Sequence, residues 1–105
     1  MLCSTNFIEL KHYRDLDFDA FFLTGKGRLA KFWTVAVREA RKHKCQPILI
    51  ARQNRTPDVV LTLPGHWKRF LKSPPPGMTV LIKRKGVTCE VRLLDELLAH
   101  PFNPR

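Results

Sequence analysis

Glu9 and Lys11 stand two residues apart in Phe7-Ile8-Glu9-Leu10-Lys11-His12-Tyr13, an apolar stretch that predicts a β-strand over Asn6 to Tyr13. Strand side chains alternate between faces, so this carboxylate and ammonium project from one side, roughly 7 Å apart. Phe7 heads that row, while Ile8 and Leu10 point to the opposite face. An acid able to hold a divalent cation, beside a lysine able to orient a water or offset developing charge, suits hydrolysis of a phosphodiester. Gln53, at the exit of the next apolar strand, completes the candidate catalytic set as a polar contact to water or phosphate. A Glu-x-Lys pair is also an ordinary same-face ion pair on an exposed strand. No acidic residue precedes Glu9.

The elements that must position these groups follow from periodicity. Asp15, Asp17 and Asp19 alternate with apolar residues ahead of Phe21-Phe22; capping of a short helix by Asp15, with Asp17 in its first turn, is favoured over a cation-collecting triplet. After Gly25 and Gly27 a helix is predicted from Arg28 to His43, with Leu29, Phe32, Trp33, Ala36, Val37 and Ala40 forming one buried stripe. Lys44 to Pro47 reads as a turn. Ile48 to Ala51 reads as a strand buried on both faces, ending in the polar run Arg52-Gln53-Asn54-Arg55. A strand from Pro57 to Leu63 and a short helix from His66 to Lys72, with Trp67, Phe70 and Leu71 inward, come next. Ser73 to Gly77 is a stiff connector. Met78 to Ile82 and Val87 to Val91 make a hairpin around the basic tip Lys83-Arg84-Lys85-Gly86, and Leu93 to Ala99 adds a last helical turn or two before a Pro-rich end. The order is strand, helix, strand, strand, short helix, strand, strand, helix. That describes one small mixed α/β domain over residues 1–105, with a core at 6–63 and a C-terminal hairpin and helix at 78–99. The first two strands and their helix would form a right-handed βαβ unit.

Charge narrows the partners. Nineteen Lys and Arg against nine Asp and Glu give a formal charge of +10, and dense negative charge such as nucleic acid is the economical counterpart. Arg28, Lys31, Arg38, Arg41 and Lys42 line the outer side of the long helix, where Glu39 is the lone acid. With Arg52 and Arg55 they are the candidate nucleic-acid contacts. Cys3, Cys45 and Cys89 are odd in number and widely spaced. They read as free thiols in a reducing compartment, and His12, His43, His66 and His100 are too scattered for a zinc site. With neither an apolar run long enough to cross a bilayer nor a signal-peptide pattern, the expectation is a cytoplasmic protein without a membrane partner.

Three blocks in order resemble the PD-(D/E)XK nuclease superfamily, and most closely its Holliday-junction-resolvase-like phage and bacterial members. They are Phe7 to Tyr13, the helix containing Lys31-Phe32-Trp33, and Pro47-Ile48-Leu49-Ile50-Ala51-Arg52-Gln53-Asn54-Arg55; together they cover about residues 6–63. The resemblance implies a restriction-endonuclease-like core with a mixed sheet flanked by helices, Mg²⁺-dependent cleavage of branched or duplex DNA, and often a homodimer. Carried across by position, Glu9 is the metal-binding acid and Lys11 the catalytic lysine, with the Arg52 to Arg55 run beside them. If phage-encoded, the protein would act in the host cytoplasm or with the virion.

In that superfamily a helix, a strand and a metal-binding Asp precede the Glu-x-Lys strand, whereas eight residues, none acidic, precede Glu9. The resemblance is thus to an N-terminally truncated form whose first strand has an open edge. A separate polypeptide supplying the Asp strand, or a homo-oligomer, would cover it. Pro57-Asp58 spells the superfamily's dipeptide but in the wrong strand, a coincidence. The expected activity is a Mg²⁺-dependent endonuclease or the C-terminal subunit of a split one. The alternatives are a nuclease relic that binds nucleic acid or assembles without cutting, and an unrelated basic α/β module for RNA or protein.

Overall fold

A computed structural model describes residues 6–71, 77–84 and 86–99. The Cys3 thiol, Lys72, the connector from Ser73 to Pro76, Lys85, and the Pro-rich end with His100 lie outside the described residues, as do the side chains of Arg69 and Phe70. The elements in chain order are β1 (Asn6–Tyr13), α1 (Phe18–Thr24), α2 (Arg28–Lys42), β2 (Gln46–Gln53), β3 (Val59–Thr62), α3 (His66–Phe70), β4 (Thr79–Arg84), β5 (Val87–Leu93) and α4 (Leu94–Leu98). The five strands form one mixed sheet in the order β1-β2-β3-β5-β4. β1 and β2 are parallel, and every other neighbouring pair is antiparallel. This is the small mixed sheet flanked by helices that the hydrophobic pattern predicts.

One local feature bears out the expectation of a short helix, and two depart from expectation. The stretch after Asp17 is a helix in its own right, because Phe18 and Phe21 are buried one turn apart. Gly25 ends it with a left-handed φ of 71°, donating its N–H to the Phe21 carbonyl. Capping is not the role of its acids. Asp17 occupies the N-cap position at φ 56° without a side-chain cap bond, and the Asp15 carboxylate accepts the Asp17 N–H at 2.8 Å in a local turn. Gln46 and Pro47 belong to β2 rather than to a turn, opposite Asn6 and Phe7 of β1. The turn is confined to His43 and Lys44, and Lys44 takes a positive φ of 56°.

α2 presents Leu29, Ala30, Trp33, Ala36 and Ala40 to the sheet, with Phe32 and Val37 half-buried beside them. Beneath lie Leu49, Ala51, Val59, Leu61, Ile82, Cys89 and Val91. Trp33 is pinned by donating its indole N–H to the Thr88 carbonyl at 3.2 Å. On the opposite face of the sheet a smaller cluster of Ile48, Val60 and Leu97 is flanked by Ile50, Trp67 and Leu94. That cover stops short of β1, where Ile8 and Leu10 are 62% and 66% exposed. Cys45 and Cys89 are buried thiols outside any disulfide, and burial pushes the Cys89 thiol up to about 12. No helix among the described residues is long and apolar enough to cross a membrane.

Candidate active site

The register of the parallel pair fixes where Glu9 and Lys11 point. Glu9 lies opposite Leu49 and Lys11 opposite Ala51. Leu49 and Ala51 are wholly buried in the cluster under α2. Paired residues of neighbouring strands share a face, so Glu9 and Lys11 also face α2. Three ring contacts fix the helix above β1. Phe7 stacks on His43 with centroids 5.7 Å apart, the Lys11 ammonium lies 4.8 Å from the Phe32 ring centre, and Tyr13 stacks on Phe32 at 5.2 Å. α2 therefore runs opposite to β1, its C-terminal end over Phe7 and its first turns over Lys11 and Tyr13.

Glu9 sits between these contacts, half-buried, with no hydrogen bond or ion pair among the described residues. Lys11 gives its charge to the face of Phe32 instead of to Glu9, a cation–π contact worth about 0.5–2 kcal/mol. The pair is thus two independently available groups, not a closed salt bridge. A hard divalent cation needs one or two carboxylates plus water and phosphate oxygens, and Glu9 supplies the minimum of one. Among the described residues no three His, Cys, Asp or Glu side chains converge to hold an ion. Glu39 shares the helix flank of Phe32 and His43, but it is paired with Lys42 at 3.4 Å.

Gln53 lies on the same face at the end of β2, but its Oε1 accepts the backbone N–H of fully buried Leu16 at 2.8 Å. Its role here is to anchor the chain between β1 and α1, a contact 37 positions long that spacing along the sequence does not reveal. Arg52 points to the other face of the sheet. It grips Asp58 through two nitrogens at 2.8 to 3.1 Å, and its hydrogen bond holds the Asp58 carboxyl below the ordinary 3.8. Asp58 is thereby a structural partner of Arg52. Arg55 is exposed in the β2–β3 turn at φ 66°.

The remaining basic residues fall into separate places. Arg28 reaches the end of β1, bonding the Asp15 carbonyl at 3.3 Å and lying 5.6 Å from the Tyr13 ring centre. Lys31 is exposed on the outer side of α2. Arg38, Arg41 and Lys42 line a groove of about 740 Å³ whose floor is Trp33, Val37 and Leu63 and whose far wall is Gly86 and Thr88. That groove lies on the Thr88 flank of α2, across the helix from Phe32, Glu9 and Lys11. The α2 periodicity finds its arginines; the hairpin residues opposite them are visible only once β5 is placed beside β3.

A family model described as phage putative PDDEXK endonuclease matches residues 3–80, from just ahead of β1 into β4. No curated protein and no solved structure matches the chain. With that match covering about three quarters of its length and running through the Glu9–Lys11 strand, the chain belongs to the phage PDDEXK endonuclease family.

Proposed function

We propose that this protein is the Glu-x-Lys part of a Mg²⁺-dependent DNA endonuclease of Holliday-junction-resolvase type. The observation that carries this reading is the half-buried Glu9, unpaired among the described residues, beside Lys11 on one face of an edge strand in a chain of the PDDEXK family. Glu9 would hold the cation, which when bound polarises the scissile phosphate. Lys11 would hold the attacking water and oppose the negative charge that gathers on the phosphate. A second carboxylate would come from a strand of a separate polypeptide laid along the open side of β1. The groove of Arg38, Arg41 and Lys42 would bind backbone phosphates, with no base-reading element implied.

The second reading, a nuclease-derived protein that binds DNA without cutting it, is favoured by the absence of three converging metal ligands among the described residues. One assay separates the two. Four-way junctions and plain duplex are incubated with Mg²⁺ and the chain, alone and together with the product of any adjoining reading frame that ends in an acidic strand. The nuclease reading expects metal-dependent cutting that Glu9→Ala and Lys11→Ala abolish. Cutting that survives Glu9→Ala refutes the site assignment, and salt-sensitive binding without cutting under every combination establishes the second reading.

A further inference from the structure

The sheet ends on two strands of opposite character. β4 carries Lys83 and Arg84 and no acid, so a second β4 laid beside it meets only like charge. β1 is different: Asn6-Phe7-Ile8-Glu9-Leu10-Lys11-His12-Tyr13 holds one acid and one lysine symmetrically about Leu10. Its only strand neighbour among the described residues is β2. Its Glu9 has no hydrogen bond or ion pair among the described residues, and its Ile8 and Leu10 are the most exposed apolar side chains of the uncovered face near that edge.

We infer that β1 pairs antiparallel with β1 of a second copy of this chain, about a two-fold axis through Leu10, and that the protein rests as this dimer. In that register Glu9 of each copy faces Lys11 of the other, giving two cross-strand ion pairs on the α2 face. Phe7 faces Tyr13 on the same side. On the opposite face Leu10 meets its own counterpart, and Ile8 lies opposite His12, so the exposed apolar pair of each copy comes together. Directly opposed residues of an antiparallel pair lie about 4.5–5.5 Å apart, close enough for each of these contacts. The neighbouring registers that keep the faces aligned fail on charge: centring on Glu9 opposes two carboxylates, and centring on Lys11 opposes two ammonium groups. The Leu10-centred register is the one that sets Glu9 directly opposite Lys11, and it is self-complementary, as a two-fold interface must be.

This pairing does not depend on the nuclease reading, but it bears on it. Self-pairing uses the edge that an added acidic strand would need, and it ties Glu9 and Lys11 to each other across the interface. The dimer is then a resting form, and strand addition and self-association exclude one another.

The test is sedimentation equilibrium and light scattering on the full chain, with circular dichroism to confirm that each variant is folded. The wild type is expected at twice the 12.2 kDa chain mass. Glu9→Lys alone places lysines opposite lysines, and Lys11→Glu alone places acids opposite acids. Each is expected to weaken self-association by about tenfold or more. Mixed in equal amounts, the two single variants are complementary at both pairs and are expected to form a heterodimer. The double variant Glu9→Lys with Lys11→Glu restores the homodimer. Leu10→Lys, which leaves the α2 face untouched, is expected to give a monomer. A wild type that stays monomeric, or single-charge variants that dimerise like the wild type, or a mixture that fails to associate, overturns the proposal. None of these outcomes depends on whether DNA is cut.

Discussion

Replacing Gln53 by Ala separates an anchoring residue from one that touches substrate. In the structure Gln53 Oε1 accepts the Leu16 N–H at 2.8 Å, and Leu16 is completely buried. Truncation leaves that buried N–H without an acceptor, and a buried donor stripped of its partner costs about 1–3 kcal/mol. For a domain of this size each kcal/mol lowers the midpoint by about 4–8 °C, so Gln53→Ala is expected to melt roughly 5–20 °C below the wild type. Gln53→Glu keeps an oxygen in place and is expected to recover most of the loss. The assay is thermal unfolding followed by far-ultraviolet circular dichroism, with urea titration to check that the slope is unchanged. A Gln53→Ala protein that melts within a degree or two of the wild type refutes the anchoring role and returns Gln53 to the reacting groups.

Trp33→Ala removes a buried ring and the donor to the Thr88 carbonyl, and is expected to cost about 3–5 kcal/mol by urea unfolding. Above pH 9 the unfolded Cys89 thiol ionises while the buried one keeps its proton to about 12, so the native state binds more protons across that window. Its contribution therefore falls as pH rises from about 9 to about 12, and Cys89→Ala is expected to flatten the pH dependence of unfolding relative to the wild type there. In the native protein Cys89 is also expected to resist thiol reagents until urea is added. Replacing Arg38, Arg41 and Lys42 together by Ala is expected to lower the slope of log affinity for duplex DNA against log salt by about 2–3, measured by fluorescence anisotropy.

Local rules carry the ladder of elements because they need only neighbours in sequence. The two-residue alternation from Phe7 to Tyr13 places Glu9 and Lys11 on one face, and the three-four spacing from Leu29 to Ala40 draws the buried side of α2. What the spacing cannot supply is which face of β1 the helix covers, since Phe7 and Tyr13 on one side balance Ile8 and Leu10 on the other. The ring contacts with His43 and Phe32 decide it. Arg52 and Gln53 look like one polar cluster in sequence, yet adjacent strand residues face opposite ways. One serves Asp58 and the other Leu16. The acids after β1 mislead for a related reason: Asp15 satisfies its own turn, a choice that helix-capping preferences do not anticipate.

The parallel pairing of β1 with β2 has a kinetic consequence. Residues 14–45 must fold back before the two strands meet, whereas β2 with β3 and β4 with β5 are joined by short turns. Bringing distant segments together carries a larger chain-closure entropy than zipping a hairpin. β1 is therefore expected to join the sheet late, and as an outer strand to leave it early, giving up its amide protons to deuterium sooner than β2, β3 and β5 at the centre. The carboxylate and the lysine thus ride on a unit whose opening free energy lies below that of the whole molecule. Whatever lies alongside β1 slows its exchange in proportion to the strength of its grip, so deuterium uptake over residues 6–13 becomes a direct gauge of occupancy at that edge.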